Sequence, residues 1–121
     1  MIYLASPYSH SDPAIREMRY RQAEEAMVQM LRSGEAVYSP IAMTHAAVAR
    51  YNLSLESGYW RPHNYAILAR CDELRVLKIP GWDSSIGVGE EIEYAIDSGK
   101  AISYWVEENM IWVPAITRSE R

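Results

Sequence analysis

Apolar residues occur along this chain in two patterns, short continuous runs and longer stretches with helical spacing. The runs predict strands at residues 1–5, 36–38, 74–79, 101–105 and 110–113. Apolar positions three and four residues apart predict a helix after each of the first three strands, with two helical stretches between the second and third strands. The pattern therefore predicts strands that alternate with helices over most of the chain.

Helix boundaries follow from a few residue types. Ser11 or Asp12 is the expected N-cap of the first helix, because Pro13 suits the first helical position, and residues 33–34 (Ser-Gly) end that helix. Residues 41–49 predict a short second helix. Residues 51–58 predict a polar loop, and residues 59–64 lead into a third helix that carries Ala66 to Cys71.

The alternation favours an α/β fold of the Rossmann or flavodoxin-like, doubly wound type. We expect a mostly parallel sheet of four to five strands in a single domain over residues 1–121, with residues 117–121 as a frayed tail. Ligands bind such sheets at the carboxyl ends of the strands. Residues 6–9, 44–45 and 85–91 all follow predicted strands, so we expect them to converge on one site.

The most informative stretch is the Ser/Gly-rich turn that follows the strand at residues 74–79. The turn leads into a helix, whose first backbone N–H groups and positive dipole end form a natural seat for an anion. Ser85 can cap that helix or donate its hydroxyl, while Gly87 and Gly89 allow a ligand to approach the backbone.

A helical wheel separates the acidic residues of this helix. Glu90 and Asp97 lie opposite the apolar side and are expected in solvent, whereas Glu91 lies on a flank one turn before Ala95 and is the best candidate to face a ligand. The alternative is that its glutamates only favour a helix N-terminus. The apolar side consists of Val88, Gly89, Ile92, Ala95 and Ile96.

Three further side chains are candidates for the same site. Arg19 shares the apolar stripe of the first helix, so it is expected to bind an anion, either an internal carboxylate or a ligand phosphate. His45 is expected either to contact a base or sugar, or to be a histidine at a helix start whose ring is hydrogen-bonded to the backbone. Tyr8 stacks on a base, or is an exposed loop tyrosine.

Composition and charge narrow the classes of partner. The net charge of −4 argues against polymeric nucleic acid, and no apolar run approaches the length of a membrane span. The single cysteine, Cys71, forms no internal disulfide, and no Cys/His cluster has zinc spacing, so we expect no metal and no cofactor. With no signal peptide apparent, the expected location is the cytoplasm. The dinucleotide-binding and Walker signatures are both missing.

Three pieces of sequence carry a resemblance to a known family. Residues 3–8 (YLASPY), residues 44–45 (TH) and residues 85–92 (SIGVGEEI) make the chain similar to the nucleoside 2-deoxyribosyltransferase superfamily. Within it, the chain most resembles the branch of 2′-deoxynucleoside 5′-monophosphate N-glycosidases. The pieces span about the first 105 residues, and the central one is the most specific.

The resemblance implies roles for several residues. It makes Glu91 the nucleophile, which attacks C1′ of the sugar, displaces the base and forms a glycosyl-enzyme ester. Relatives that transfer free nucleosides have an aspartate at the position of Ser85, whereas a serine donates to a phosphate. Ser85 and the N–H groups of Gly87 and Gly89 are thus expected to bind a 5′-phosphate, with N-capping as a compatible alternative for Ser85.

Two positions bear on activity and assembly. Relatives have a proton-transferring aspartate where this chain has Asn64, whose amide exchanges no proton at neutral pH. Three explanations are open. The chain is a natural variant with altered or lost activity, a deliberately trapped form, or a protein in which a nearby group such as His63 transfers the proton instead. Asn109 with Met110 is similar to a segment that reaches a neighbouring subunit's site in the transferases, which implies a homodimer or higher homo-oligomer.

Taken together, these patterns predict an enzyme that hydrolyses the base–sugar bond of a nucleoside 5′-monophosphate, with 2′-deoxyribose favoured. Ser6, Tyr8 and His45 are expected to shape the base and sugar pocket, with Arg19 near the phosphate. The alternatives are a deoxyribosyltransferase that exchanges bases and a catalytically weakened nucleotide sensor, which Asn64 would suit.

Overall fold

The predicted alternation of strands and helices is confirmed in a computed structural model, which describes residues 1–115. The expected frayed tail at residues 117–121 lies outside the described residues. The strands are β1 (Ile2–Ala5), β2 (Val37–Tyr38), β3 (Glu73–Leu77), β4 (Ala101–Glu108) and β5 (Ile111–Pro114). The helices are α1 (Pro13–Arg32), α2 (Pro40–Tyr51), α3 (Ser57–Leu68) and α4 (Ile86–Asp97), and a short 3-10 helix at Trp82–Ser84 precedes α4.

The five strands form one sheet in the order β2-β1-β3-β4-β5. The β1–β2, β1–β3 and β3–β4 pairs are parallel, and only β4–β5 is antiparallel. The chain leaves β1 toward one edge and returns through β3 toward the other, so the connections change direction between β1 and β3. This is the point at which open α/β sheets bind ligands, and it confirms the doubly wound, flavodoxin-like prediction.

Alternate side chains of the central strands build a core on each face of the sheet. Tyr3 and Ala5 pack with Leu68 of α3 and with Val88 and Ala95 of α4. On the other face, Leu4 and Leu77 pack with α1 and α2. Two helices thus cover each face, and α3 and α4 lie together on the face that Tyr3 points toward.

The third helix begins earlier than the sequence predicts. Residues 57–64 belong to α3, which contains Pro62 in its interior, and Cys71 lies beyond its end in the turn before β3. A proline lacks the N–H that an interior helical position donates, so Pro62 disfavours a helix at this point. Residues 59–64 are helical nevertheless, and reading them as an approach to the helix was wrong. The earlier start places Trp60, Arg61 and Asn64 on one helix.

Asn109 lies in a tight turn, and its predicted reach into a neighbouring subunit's site stays a prediction. The predicted break at residues 107–109 begins later than expected, because β4 continues to Glu108 and ends before Asn109. Asn109 and Met110 have φ angles of 53° and 66° and form the tight turn between β4 and the edge strand β5. Two consecutive positive φ angles match the turn that joins hairpin strands, so this pair has a local structural role within the chain.

No helix within residues 1–115 combines the length and the apolar character needed to cross a membrane.

Candidate active site

A cleft of about 890 Å³ opens at the carboxyl ends of β1 and β3. Its walls come from the loop after β1, the start of α2, the cleft-facing side of α3 and the first turn of α4. The predicted convergence of residues 6–9 with residues 85–91 is confirmed, because both segments line this cleft. Thr44 lines it as well, but His45 does not.

Glu91 is buried in the wall of the cleft, with only 8% of its surface exposed. The Tyr3 hydroxyl donates a hydrogen bond of 2.5 Å to Glu91 Oε2. Burial raises the pKa of Glu91 to about 7, and the charge of Glu90 adds to the rise, while the Tyr3 hydrogen bond opposes it. Burial and the Glu91 charge also raise the pKa of Tyr3, which therefore stays a donor.

The N-terminus of α4 faces the same cleft. Ser85 caps the helix, because its Oγ accepts a hydrogen bond from the N–H of Val88 at 3.2 Å. The N–H groups of Ile86 and Gly87 have no acceptor within residues 1–115, as expected for the first turn of a helix. They and the Ser85 hydroxyl hydrogen are the donors that this turn offers to a ligand.

Gly89 does not provide a free amide. Its N–H donates to the carbonyl oxygen of Ser85 at 3.0 Å, so the expected contribution of this group to phosphate binding was wrong. The physical reason is that Gly89 is the fourth residue of α4 and lies within reach of the carbonyl of the N-cap residue.

Arg19 extends from α1 to the rim of the cleft. Its guanidinium donates to the carbonyl oxygens of Ser9 at 3.0 Å and Pro80 at 3.3 Å, which joins the loops after β1 and β3. No carboxylate within residues 1–115 pairs with it, so the expectation of an internal carboxylate partner was wrong. Gly81 (φ +96°) makes this possible, because a Cβ there would lie 2.5 Å from Arg19 Nη2.

Arg61 is a second guanidinium at the cleft that the sequence reading did not single out. It pairs with Glu90, whose side chain is only 26% exposed, so the prediction that Glu90 is free in solvent was wrong. The wheel considered α4 alone, whereas the partner comes from α3. Glu90 and Arg61 thus form a charged bridge between α3 and α4 beside Glu91.

Among residues 1–115, two polar atoms in the cleft wall are buried without a hydrogen-bond partner. They are Ser6 Oγ, at the end of β1, and Asn64 Oδ1, on α3. A buried polar group without a hydrogen bond is costly, so such atoms in a cleft wall commonly mark places where a ligand or water binds. Both residues were candidates from the sequence, and both line the cleft.

His45 is held by protein groups instead of facing the cleft. Its Nδ1 is 2.7 Å from the Tyr8 hydroxyl, its Nε2 is 3.0 Å from Glu17 Oε1, and its ring stacks on Tyr20. The expectation that His45 contacts a base or sugar is therefore not supported. Neither is backbone satisfaction, because both ring nitrogens have side-chain partners. Tyr8 does line the cleft, with its hydroxyl anchored by His45.

The chain matches the model of a known protein family. A family described as a domain of unknown function (DUF1937) matches residues 1–107, which is most of the chain. The chain belongs to this family. No curated protein matches the sequence.

The matched region of this DUF1937 domain includes all the residues that line the cleft. Within residues 1–115 no group of three or more histidine, cysteine, aspartate or glutamate side chains is arranged to hold a metal ion. Asn109, at the hairpin between β4 and β5, does not line the cleft. The arrangement combines a buried carboxylate, a helix N-terminus with free amides and two arginines at the rim, which suits nucleophilic chemistry on an anionic ligand.

Proposed function

We propose that this protein is a nucleotide N-glycosidase, a hydrolase that cleaves the base–sugar bond of a nucleoside 5′-monophosphate, with 2′-deoxyribose favoured. The observation that carries the proposal is the position of Glu91, buried in the wall of the cleft beside the N-terminus of α4. The resemblance to the nucleoside 2-deoxyribosyltransferase superfamily supports the same assignment.

The chemistry of the reaction suits a partly desolvated carboxylate. In the proposed reaction Glu91 attacks C1′ of the sugar and the bond from C1′ to the base breaks, which leaves a glycosyl ester on Glu91. Water then hydrolyses the ester and releases the sugar phosphate. The Tyr3 hydrogen bond fixes the position of one carboxylate oxygen, so the other, Oε1, is the better candidate for the attack.

The phosphate is proposed to bind at the N-terminus of α4. The Ser85 hydroxyl and the N–H groups of Ile86 and Gly87 supply uncharged donors, and the helix dipole favours a negative charge there. Arg19 supplies positive charge at the rim and uses only two of its five N–H groups for protein carbonyls. Glu91 lies one helical turn further along the same helix, which suits the short distance from a 5′-phosphate to C1′.

The base is proposed to occupy the wider part of the cleft. The Tyr8 ring lines that wall and is fixed by its hydroxyl contact with His45. Trp60 is likewise fixed, because its Nε1 donates to the Ser54 carbonyl at 2.7 Å. Rigid aromatic rings bind a flat base with little loss of conformational entropy. Ser6 Oγ and the Asn64 amide would give the polar contacts.

The decisive experiment is a screen of ribo- and deoxyribonucleoside 5′-monophosphates for released base. Glu91→Gln keeps the shape and the hydrogen bond with Tyr3 but removes the nucleophile, so base release should fall by roughly 10³-fold or more. Glu93→Gln is the matched control, since it makes the same change on the exposed side of the same helix. Equal rates for the two variants would refute the proposal.

The products separate hydrolysis from transfer. With a free acceptor base present, a hydrolase still yields sugar phosphate, whereas a transferase yields the exchanged nucleotide. Formation of exchange products would support the alternative assignment to a deoxyribosyltransferase.

A nucleotide sensor is a second candidate, and Asn64 is the observation that favours it. Its amide cannot transfer a proton at neutral pH, and its carbonyl oxygen is buried without a partner. A sensor would bind a nucleoside monophosphate tightly in calorimetry and release no base, even after Asn64→Asp. Base release that requires Glu91 would rule the sensor out.

A further inference from the structure

The leaving base sets a requirement that the cleft does not meet for ordinary nucleotides. A neutral purine or pyrimidine leaves C1′ with the electrons of the broken bond, so it departs as an anion unless an acid protonates it. An enzyme for such bases therefore places a proton donor beside the base. Within residues 1–115, the cleft offers no group suited to protonating the leaving base.

Asn64 lines the cleft but has no acidic group that could protonate a base. It lines the cleft from α3, on the same side of that helix as Trp60 and Arg61. Its carboxamide can donate and accept hydrogen bonds but holds no exchangeable acid at neutral pH. Its Oδ1 is buried without a partner, so it is available to a ligand.

The ionisable neighbours are occupied in other ways. Glu90 pairs with Arg61, so its carboxylate is already engaged by a guanidinium. His10 lies on the exposed loop after β1, where its Nδ1 accepts the N–H of Asp12 at 3.0 Å, so that atom is not available to a ligand.

The tyrosines of the cleft are no better as acids. Burial raises the pKa of both Tyr8 and Tyr65, which makes their hydroxyl groups poorer proton donors. The Tyr8 hydroxyl is also in contact with His45. Glu56 lines the rim from the residue before α3, where its side chain is exposed to water.

The same surroundings suit a base that already carries positive charge. Glu56 and Glu91 are carboxylates at the cleft that pair with no arginine or lysine within residues 1–115. Tyr8 and Trp60 add aromatic rings, whose faces attract cations. A buried carboxylate without a cationic partner, such as Glu91, gains from a positive ligand beside it.

We propose that the preferred substrates are nucleoside 5′-monophosphates whose base is cationic before the bond breaks, such as N-alkylated purine or pyridinium nucleotides, with Asn64 as the residue that sets this preference. The inference rests on the proposed N-glycosidase function. As Glu91 Oε1 forms its bond to C1′, the electron pair of the C1′–N bond moves onto the base nitrogen. That pair cancels the positive charge, so the base leaves neutral and no proton is required.

The second half of the reaction also balances without a protein acid. Water attacks C1′ on the face that the base has left, and the C1′–Oε1 bond breaks. The carboxylate of Glu91 is restored, the sugar phosphate gains a hydroxyl group at C1′, and the surplus proton of water passes to solvent.

The test uses substrate pairs that differ by one methyl group and one charge. Guanosine and deoxyguanosine 5′-monophosphates are compared with their N7-methylated forms, and base release is followed by chromatography. Enzyme-free and Glu91→Gln samples correct for spontaneous loss of the methylated base. We expect kcat/KM to be at least about 10²-fold higher for the methylated forms, the scale of a positioned acid.

Asn64→Asp then tests the origin of the preference. An aspartic acid at this position can protonate a neutral base, so the ratio of methylated to unmethylated kcat/KM should narrow by about tenfold or more. A preference that does not narrow in this variant would overturn the role of Asn64. Equal wild-type rates for both forms would overturn the cationic class while leaving the N-glycosidase intact. Failure of every nucleotide to release base in a Glu91-dependent way would instead refute the proposed function.

Discussion

Arg75 and Glu91 are both charged and almost equally buried, with 7% and 8% of their surfaces exposed. Arg75 makes two hydrogen bonds to Glu35 and one to Glu73, and its guanidinium lies 4.5 Å from the centre of the Trp105 ring. Glu91 receives one hydrogen bond, from the uncharged Tyr3.

The number of charged partners separates the two residues: Arg75 has a structural role, whereas Glu91 is a candidate to contact a ligand. The partners of Arg75 raise its pKa even though burial opposes this, so folding favours its charged form. The pKa of Glu91 rises to about 7, which means that folding disfavours its charged form. A buried ionisable group that folding penalises and that lies in a cleft is a candidate functional group.

The largest stability effect is expected from Arg75→Met. This change leaves Glu35 and Glu73 without their shared cation, and we expect a loss of about 3 kcal/mol in the free energy of unfolding, measured with urea. The loss lies at the low end for a broken buried pair because both carboxylates are partly exposed, at 33% and 27%.

The matched control is Arg61→Met, which removes an ion pair at the rim of the cleft, where Arg61 is 43% exposed. We expect this change to cost at most about 1 kcal/mol. Equal losses for the two variants would show that the burial of Arg75 contributes nothing beyond a surface ion pair.

The next largest effect concerns the pH dependence that Glu91 gives to stability. The folded-state pKa of about 7 lies above the ordinary glutamate value of 4.5, so between these two pH values the folded protein binds a proton that the unfolded chain has lost. The contribution of Glu91 is therefore neutral below pH 4.5 and becomes increasingly destabilising as the pH rises to 7. Its full size is on the order of 3 kcal/mol.

Glu91→Gln should remove that contribution. We expect the variant to be more stable than the wild type at pH 8 and close to it at pH 4.5, as measured by the urea midpoint across this range. Glu93→Gln, on the exposed side of the same helix, should leave the pH profile unchanged. A wild-type minus Glu91→Gln difference that is constant with pH would contradict the raised pKa.

The sequence was sufficient where a local rule decided the outcome. The largely apolar runs at residues 1–5 and 74–79 predicted the two strands that flank the cleft, because strands buried on both faces are rich in apolar residues. Pro13 and Ser85 marked helix starts through rules that involve only a few neighbouring residues. The convergence of residues 6–9 and 85–91 followed from the parallel sheet alone.

The errors came from contacts between distant parts of the chain. A wheel drawn for α4 placed Glu90 in solvent and Ile96 in the core, but Arg61 pairs with Glu90 and Ile96 is 63% exposed. Arg19 was expected to need an anion, yet two loop carbonyls bind it. The Tyr3 hydrogen bond to Glu91 joins residues 88 positions apart, and no local pattern contains that information.

Tyr3→Phe tests how much the Tyr3 hydrogen bond contributes to the pKa of Glu91. The Tyr3 hydrogen bond favours the ionised form, so its removal should raise the pKa of Glu91 further. If Glu91 is the nucleophile, kcat/KM rises with pH as it ionises, and this limb should move up by about one pH unit in the variant. The rate at pH 7 should fall by about fivefold, because the ionised fraction of Glu91 falls from about one half to about one tenth.

Tyr38→Phe is the control for Tyr3→Phe. Tyr38 packs against Tyr3, with ring centroids 5.9 Å apart, but its hydroxyl is 3.3 Å from His63 Nε2 instead of bonding Glu91. This variant should keep the wild-type pH profile. Equal shifts in both variants would point to a general change in packing.

The smallest effect is expected from Ser85→Ala, which sharpens the contrast between structural and ligand-binding roles within a single side chain. Loss of the N-cap bond to Val88 should lower the free energy of unfolding by about 1 kcal/mol. Ser39→Ala removes an equivalent cap from α2, where Ser39 Oγ accepts the Ala42 N–H at 3.1 Å outside the cleft. Only Ser85→Ala should also raise the KM for nucleoside monophosphates, because only its hydroxyl hydrogen is placed to bind the phosphate. If both variants lose similar stability and neither changes KM, Ser85 is a helix cap and the phosphate binds elsewhere.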